Sequence, residues 1–283
     1  MKQFVPTCAA LIVWLLPALA LAQSRPLVTE DAETVPTGNI LLEAGFDFER
    51  SAAYPVSGLT GNLMRIGTFG LSFGVSPIAE IQIDGGLRNR LAIDTADSTA
   101  PLAEMLDLTG ESTSDVEDLR IGAKVKFVSE TEQRPSFAVR FFTRLPNAGN
   151  ESGLGLDTTD FHLGVAAAKT VRSVRVVGNF GFGILADPVR GDRQNDVLEF
   201  GASVARAVRP DVEVVGELNG RLSTREGEPP PGTDSRAVMR LGSRLTRGPV
   251  RVDGALLLGV TERDPSWGFT AGVTWVFRAF EVQ

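Results

Sequence analysis

The sequence is poor in the residues from which most chemical sites and most exported cores are built. Of its 283 residues, one is cysteine, one is histidine and one is tyrosine. The cysteine, Cys8, falls within the first ten residues, inside a stretch read below as a removed signal. The chain that remains has no disulfide, the usual stabiliser of small secreted domains. A lone histidine without a thiol leaves no Cys/His set for zinc. No internal run approaches the roughly 18 apolar residues of a membrane-spanning helix. A basic excess is missing too. Lys and Arg number 28 against 35 Asp and Glu, for a formal net charge of −7. Nothing therefore draws the chain to phosphates, and no nucleic-acid partner is expected.

What is present begins with a processing signal. Lys2 supplies a positive start, Ala9 to Leu16 an apolar stretch, and Ala20-Leu21-Ala22 a small-x-small cleavage site. Residues 1–22 are read as a signal peptide, 23–39 as a periplasmic leader and 40–283 as one β domain. The leader, QSRPLVTEDAETVPTGN, has two prolines and no period. Either it hangs loose or it enters the domain as a plug, with Glu30, Asp31 and Glu33 paired to inner arginines.

From Ile40 onward the apolar residues recur every second position, as they do along a strand with two unlike faces. Phe161, Leu163, Val165 and Ala167 share one face of their run; Asp160, His162, Gly164, Ala166 and Ala168 share the other. Twelve such runs are found: 40–49, 63–75, 80–88, 118–128, 137–145, 160–169, 172–184, 197–206, 212–222, 236–245, 250–261 and 267–277. Connections after odd runs are long or polar (50–62, 89–117, 146–159, 185–196 and 223–235), apart from a short last one near 262–266. Connections after even runs are tight. An even strand count with long loops at one end and short turns at the other predicts an all-β fold: a transmembrane antiparallel up-and-down barrel, with long extracellular loops and short periplasmic turns.

Charge placement supports lipid on the apolar side. The oily faces carry only Arg65, Lys169, Arg172 and Arg206, all placed near strand ends where long side chains reach the interface. Phe46, Phe48, Phe69, Phe73, Phe180, Phe182, Trp267, Trp275 and Phe277 gather toward strand ends, as interfacial girdles do. A periplasmic sandwich or lipocalin-like barrel satisfies the alternation as well, but it puts the polar faces outside.

The opposite faces carry bands of charge. A basic wall is expected from Arg120, Lys124, Lys126, Arg140, Arg144, Arg175, Arg236, Arg240, Arg244 and Arg251. Acidic positions are Glu43, Asp47, Asp84, Glu199, Glu213, Glu217 and Asp253, with Glu49, Glu80 and Arg88 also read as inward. Two readings stay open: a transverse field that orients polar solutes, or cross-strand ion pairs filling a narrow interior. His162 faces inward without a nucleophile motif, and Gly164 occupies the place two residues on where barrel phospholipases carry serine. A polar contact with Asp160 or Arg140 is expected of it, and no catalytic role. The acidic stretch 94–118 lacks the spacing of a calcium loop. No metal and no cofactor are expected.

Two stretches resemble a known family. RPLVTEDAETVPTGNILLEAGFDFE is similar to the mature start of the family described as the MetA-pathway of phenol degradation. DLRIGAKVKF, Leu145-Pro146, Gly153-Leu154-Gly155, Thr159-Asp160-Phe161 and Val177-Gly178-Asn179-Phe180-Gly181 are similar to later parts. The resemblance covers about Arg25 to Ile184. It implies an outer-membrane barrel with a part in moving aromatic or other hydrophobic compounds, and it offers no catalytic residues. Expected surroundings are outer-membrane lipid and lipopolysaccharide, the barrel-assembly machinery, and a small-molecule solute of unspecified identity. The expected function is a passive channel; a closed structural or adhesive barrel acting through its outer loops is the alternative. One feature departs from the family: Arg278 to Gln283 follow Phe277, so either Phe280 extends the last strand or the terminal assembly signal is unusual.

Overall fold

The computed structural model describes residues 24–281. The signal-peptide reading of 1–22 falls outside them. The strands are β1 (Asn39–Tyr54), β2 (Leu59–Ser76), β3 (Ala79–Ala96), β4 (Ser112–Asp115), β5 (Arg120–Val128), β6 (Ser136–Arg144), β7 (Asp160–Val171), β8 (Val174–Ala186), β9 (Gln194–Arg209), β10 (Val212–Ser223), β11 (Arg236–Arg247), β12 (Val250–Gly259) and β13 (Trp267–Arg278). Each pairs antiparallel with its chain neighbour, except that β3 pairs with both β5 and the short β4. β1 pairs with β13 from Asn39↔Arg278 to Arg50↔Trp267, which closes the ring. Twelve strands thus form a closed barrel, and four-residue β4 is an added piece beside the upper part of β3. Closure leaves the twelve-strand ring with no open edge and pairs its backbone within the wall, as hydrocarbon surroundings demand.

The twelve strands are those the alternation predicts. Several run farther than their periodicity reaches, β1, β2 and β3 the most at one end. β1 continues to Tyr54 and β2 begins at Leu59, so the supposed loop 50–62 is a tight turn on a tall hairpin; β3 extends to Ala96. Polar residues in these extensions mask the period. Burial explains why they form: Ala52, Leu59, Leu63 and Leu91 make an apolar cluster, packed by Tyr54, Ile93, Leu106, Leu108 and Leu154. The 97–119 connection, with a 3₁₀ turn at Ala103–Met105, and the 145–159 connection fold over this hairpin. β13 ends at Arg278, and Phe280 does not extend it; the amides of Ala279 and Phe280 donate to the Gly38 carbonyl instead.

The outside of the ring is apolar. Phe161, Leu163, Phe180 and Phe182 on β7 and β8 are each more than half exposed, as are Leu241, Val252 and Leu256 on the other side. The interior holds Glu80, Lys124 and Thr274 with no exposure at all. This inside-out arrangement is the reverse of a sandwich. A continuous apolar belt of this extent has no place on a soluble monomer. Aromatic rings pair at both ends of the β1–β13 seam: Trp275 with Phe277 at 4.4 Å, and Phe48 with Trp267 at 5.6 Å.

Strict alternation misplaces two residues. Gly67 adopts φ +68° and forms a bulge opposite Gly45 and Phe46. Below it Thr68 faces inward; above it Arg65 pairs with Asp47 and faces inward as well. Arg65, expected on the oily face, therefore binds Glu49 at 3.4 Å inside. On β3 an inversion opposite Gly67, where Leu87 and Arg88 are both exposed, leaves Asn89 and Leu91 buried. Arg88, expected inside, instead reaches Ser114 of β4 at 3.4 Å. A bulge adds one residue to one strand, so every side chain beyond it changes face.

Candidate functional site

The lumen is occupied from the short-turn end by residues 24–38. Their backbone forms no strand, so its polar groups need partners from the wall. Glu217 accepts from the amides of Val28 and Thr29 at 2.7–3.0 Å. Asn179 accepts from the Glu30 amide and donates to its carbonyl, at 2.7 and 2.8 Å. Glu80 accepts from the Val35 amide at 2.5 Å. Arg244 donates to the carbonyls of Ser24 and Arg25. Of the two readings of the leader, the threaded one describes this arrangement.

Side chains lock it further. Glu30 binds Lys124 at 2.7 Å, and Lys124 also binds Glu80 at 3.1 Å. Asp31 takes both Arg175 Nε and Nη2 at 2.5 Å, in a forked pair. Glu33 binds Lys126 at 2.7 Å. Arg25 reaches Thr270, the Ala271 carbonyl and Asp253. Ala32 packs against Ala138, Ala166, Ala168 and Val177. Several small residues of the inner face have a physical reason: they are the footprint of the leader. A Cβ on Gly74 would lie 2.2 Å from the Pro36 carbonyl oxygen, and one on Gly201 would lie 2.8 Å from the Thr29 hydroxyl.

Apart from Arg88, the charged positions on the polar faces of the alternating runs lie on the inner face, and most are paired. Arg140 binds Gln82 and Asp84, and its guanidinium lies 4.7 Å over Phe142. Arg144 is held between Asp118 and Asp160. Arg240 binds Glu217, while Arg244 and Arg251 share Glu213. Glu43 accepts from the Arg25 amide, and Asp47 lines a small cavity beside Arg25. Cross-strand ion pairing therefore describes the lower lumen. Arg120, with only Glu117 at 3.9 Å, and Arg236, with no carboxylate partner among the described residues, are the exceptions.

His162 bonds neither Asp160 nor Arg140. Its Nδ1 lies 2.9 Å from Glu199, and its ring stacks on Phe142 at 4.2 Å. The reason is on β8. Gly183 stands opposite His162 and Gly181 opposite Glu199, so no side chain separates β7 from β9. The outer acidic stretch is spent on loop structure. Thr99 donates from its hydroxyl and amide to Asp97, which holds that carboxyl below its usual range, and Asp118 accepts from the amides of Asn147 and Ala148. Among the described residues no three His, Cys, Asp or Glu gather to hold a metal.

Above the leader, at the long-loop end, two cavities of about 440 and 370 Å³ share Glu49, Arg65, Arg120, Glu199, Arg221, Arg236 and Pro265. They form one vestibule. Sequence reasoning missed Arg25 and Arg65 as lumen residues. The visible signal for the plug was three acids, Glu30, Asp31 and Glu33, in front of a wall rich in arginine.

Solved structures with the same architecture are outer-membrane barrels. The COG4313 outer membrane channel from Pseudomonas putida F1 is 14% identical over 87% of this chain and 98% of its own, with a TM-score of 0.62. The NanC porin is 8% identical over 83% and 98%, with a TM-score of 0.51. The translocator domain of the autotransporter NalP from Neisseria meningitidis is 11% identical over 84% and 88%, with a TM-score of 0.50. No curated protein matches the chain. A closed twelve-strand barrel with a threaded leader thus carries a sequence that the family model described as "Putative MetA-pathway of phenol degradation" matches over residues 23–277, and the chain belongs to that family.

Proposed function

We propose that this protein is an outer-membrane channel for passive entry of small molecules, exported through the periplasm with its signal peptide removed. One observation carries the reading: a vestibule at the long-loop end whose floor is the leader, a segment tied to the wall largely by ion pairs and hydrogen bonds rather than by a large apolar core. Such a floor is displaced more readily than a strand of the ring. The family description points to aromatic compounds, and the COG4313 relative is named as a channel. The test is flux into liposomes holding the refolded protein. Phenol-sized solutes are expected to enter faster than into empty liposomes; equal rates with a heat-modifiable, folded barrel overturn the channel reading.

The density of buried pairs around Lys124 favours a second reading, a closed structural barrel that acts through its outer loops. It predicts no flux with the leader in place and none with the leader released.

A further inference from the structure

Arg221 on β10 and Arg236 on β11 are direct cross-strand partners on the inner face. Like charges so placed repel and destabilise a sheet unless something neutralises them. Neither forms a salt bridge among the described residues. Arg221 donates to the carbonyls of Asp234 and Gly232, and Arg236 makes one 3.3 Å contact with the Ala53 carbonyl. Arg236 Nε is buried with no partner. The nearby carboxylates are engaged elsewhere: Glu199 with His162, Asp234 with Arg263, Glu49 with Arg65. Arg120 lies across the lumen, since β5 is five strands from β10 one way round the ring and six from β11 the other. Its own contact, to Glu117, is 3.9 Å long.

These three arginines line the same vestibule of about 440 Å³. Its walls hold five arginines against three carboxylates, in a chain of net charge −7. That volume is ordinary for a small-molecule site, about 300–1,000 Å³. The remaining lining is not uniformly polar. Leu154, Leu156 and the edge of Phe142, whose faces are taken by Arg140 and His162, give it an apolar side. A cavity with unspent guanidinium donors and an apolar wall suits an anion with an apolar body. Arginine's planar fork matches a carboxylate in particular.

We propose that the vestibule is a binding station for aromatic carboxylates, with Arg221, Arg236 and Arg120 taking the carboxylate and Leu154, Leu156 and the free edge of Phe142 taking the ring. This rests on the channel reading and extends it by naming the solute class. Binding here captures the anion at the outer mouth and offsets the repulsion between the two arginines.

The test is titration calorimetry of the detergent-solubilised barrel with benzoate, benzamide and acetate at low salt. Benzoate is expected to bind, with benzamide and acetate each at least about tenfold weaker, and Arg236→Gln is expected to weaken benzoate at least about tenfold. Arg120→Gln serves as a second variant, and heat-modifiable migration checks that each is folded. Absence of benzoate binding overturns the proposal. So does equal benzoate affinity in the folded variants, or equal binding of acetate or benzamide. Calorimetry needs no current. Conductance without benzoate binding overturns only this station, whereas binding without conductance or flux leaves the station and overturns the channel reading.

Discussion

Lys124 Nζ lies 2.7 Å from Glu30 Oε1 and 3.1 Å from Glu80 Oε1, with no solvent exposure of its own. One residue of the leader and one of β3 thus share a single cation from β5. Removing the cation strands two carboxylates in the interior. Lys124→Met is expected to cost about 3–5 kcal/mol, the range for breaking a buried ion pair. The midpoint of heat-modifiable migration should fall accordingly, and an unchanged midpoint would show that the triad contributes nothing.

Gly74 lies on β2 under the leader, where a Cβ would meet the carbonyl oxygens of Pro36 and Val35 at 2.2 and 2.5 Å. Both contacts are backbone, so no rotamer relieves them. Gly74→Val is expected to build a barrel of normal heat-modifiability whose leader is cut by protease far faster than that of the wild type. Equal cleavage of the two would show that the footprint is not what holds the leader.

Gly67 occupies the left-handed region at φ +68° and turns Arg65 inward. A side chain there costs about 1–2 kcal/mol, and its Cβ would also meet the Leu87 side chain at 2.9 Å. Gly67→Ala should lower stability by at least that amount. A neutral result would count against the bulge.

Val165, the sixth of the twelve residues of β7, is 44% exposed. On a soluble protein arginine at such a site is tolerated. In lipid it costs about 2–4 kcal/mol near the midplane. Val165→Arg is therefore expected to reduce stability in liposomes by that amount, and an effect within about 0.5 kcal/mol would argue that this face does not meet lipid.

Much of the architecture was legible because a barrel wall obeys one rule locally. Side chains such as Phe161 and Leu163 alternate with Asp160 and His162 whatever lies far away, so the twelve strands follow from period two and the spacing of loops. What escaped depends on contacts distant in sequence or on single-residue irregularities. Arg65 changed sides at Gly67, which takes a positive φ, and Arg88 at a separate break in alternation on β3, where Leu87 and Arg88 are both exposed. His162 found Glu199, 37 positions away, because glycines on β8 leave the space between them open. The leader's path was visible only as a complementarity, with Asp31 and Glu33 matched to Arg175 and Lys126, which composition suggests but does not position. Charged residues such as Arg144 and Arg240 lie on the inner face. Their pairing, which separates spent guanidinium groups from free ones, requires the assembled barrel.

Single-channel recording of the wild-type barrel beside a variant lacking residues 24–36 tests the central claim most directly. With the leader in place the account predicts small currents, limited by the occupied lumen. Without it, a heat-modifiable barrel should pass severalfold larger currents, as an emptied twelve-strand lumen allows. Equal conductance in the two, or silence in both, would contradict a channel floored by its own leader.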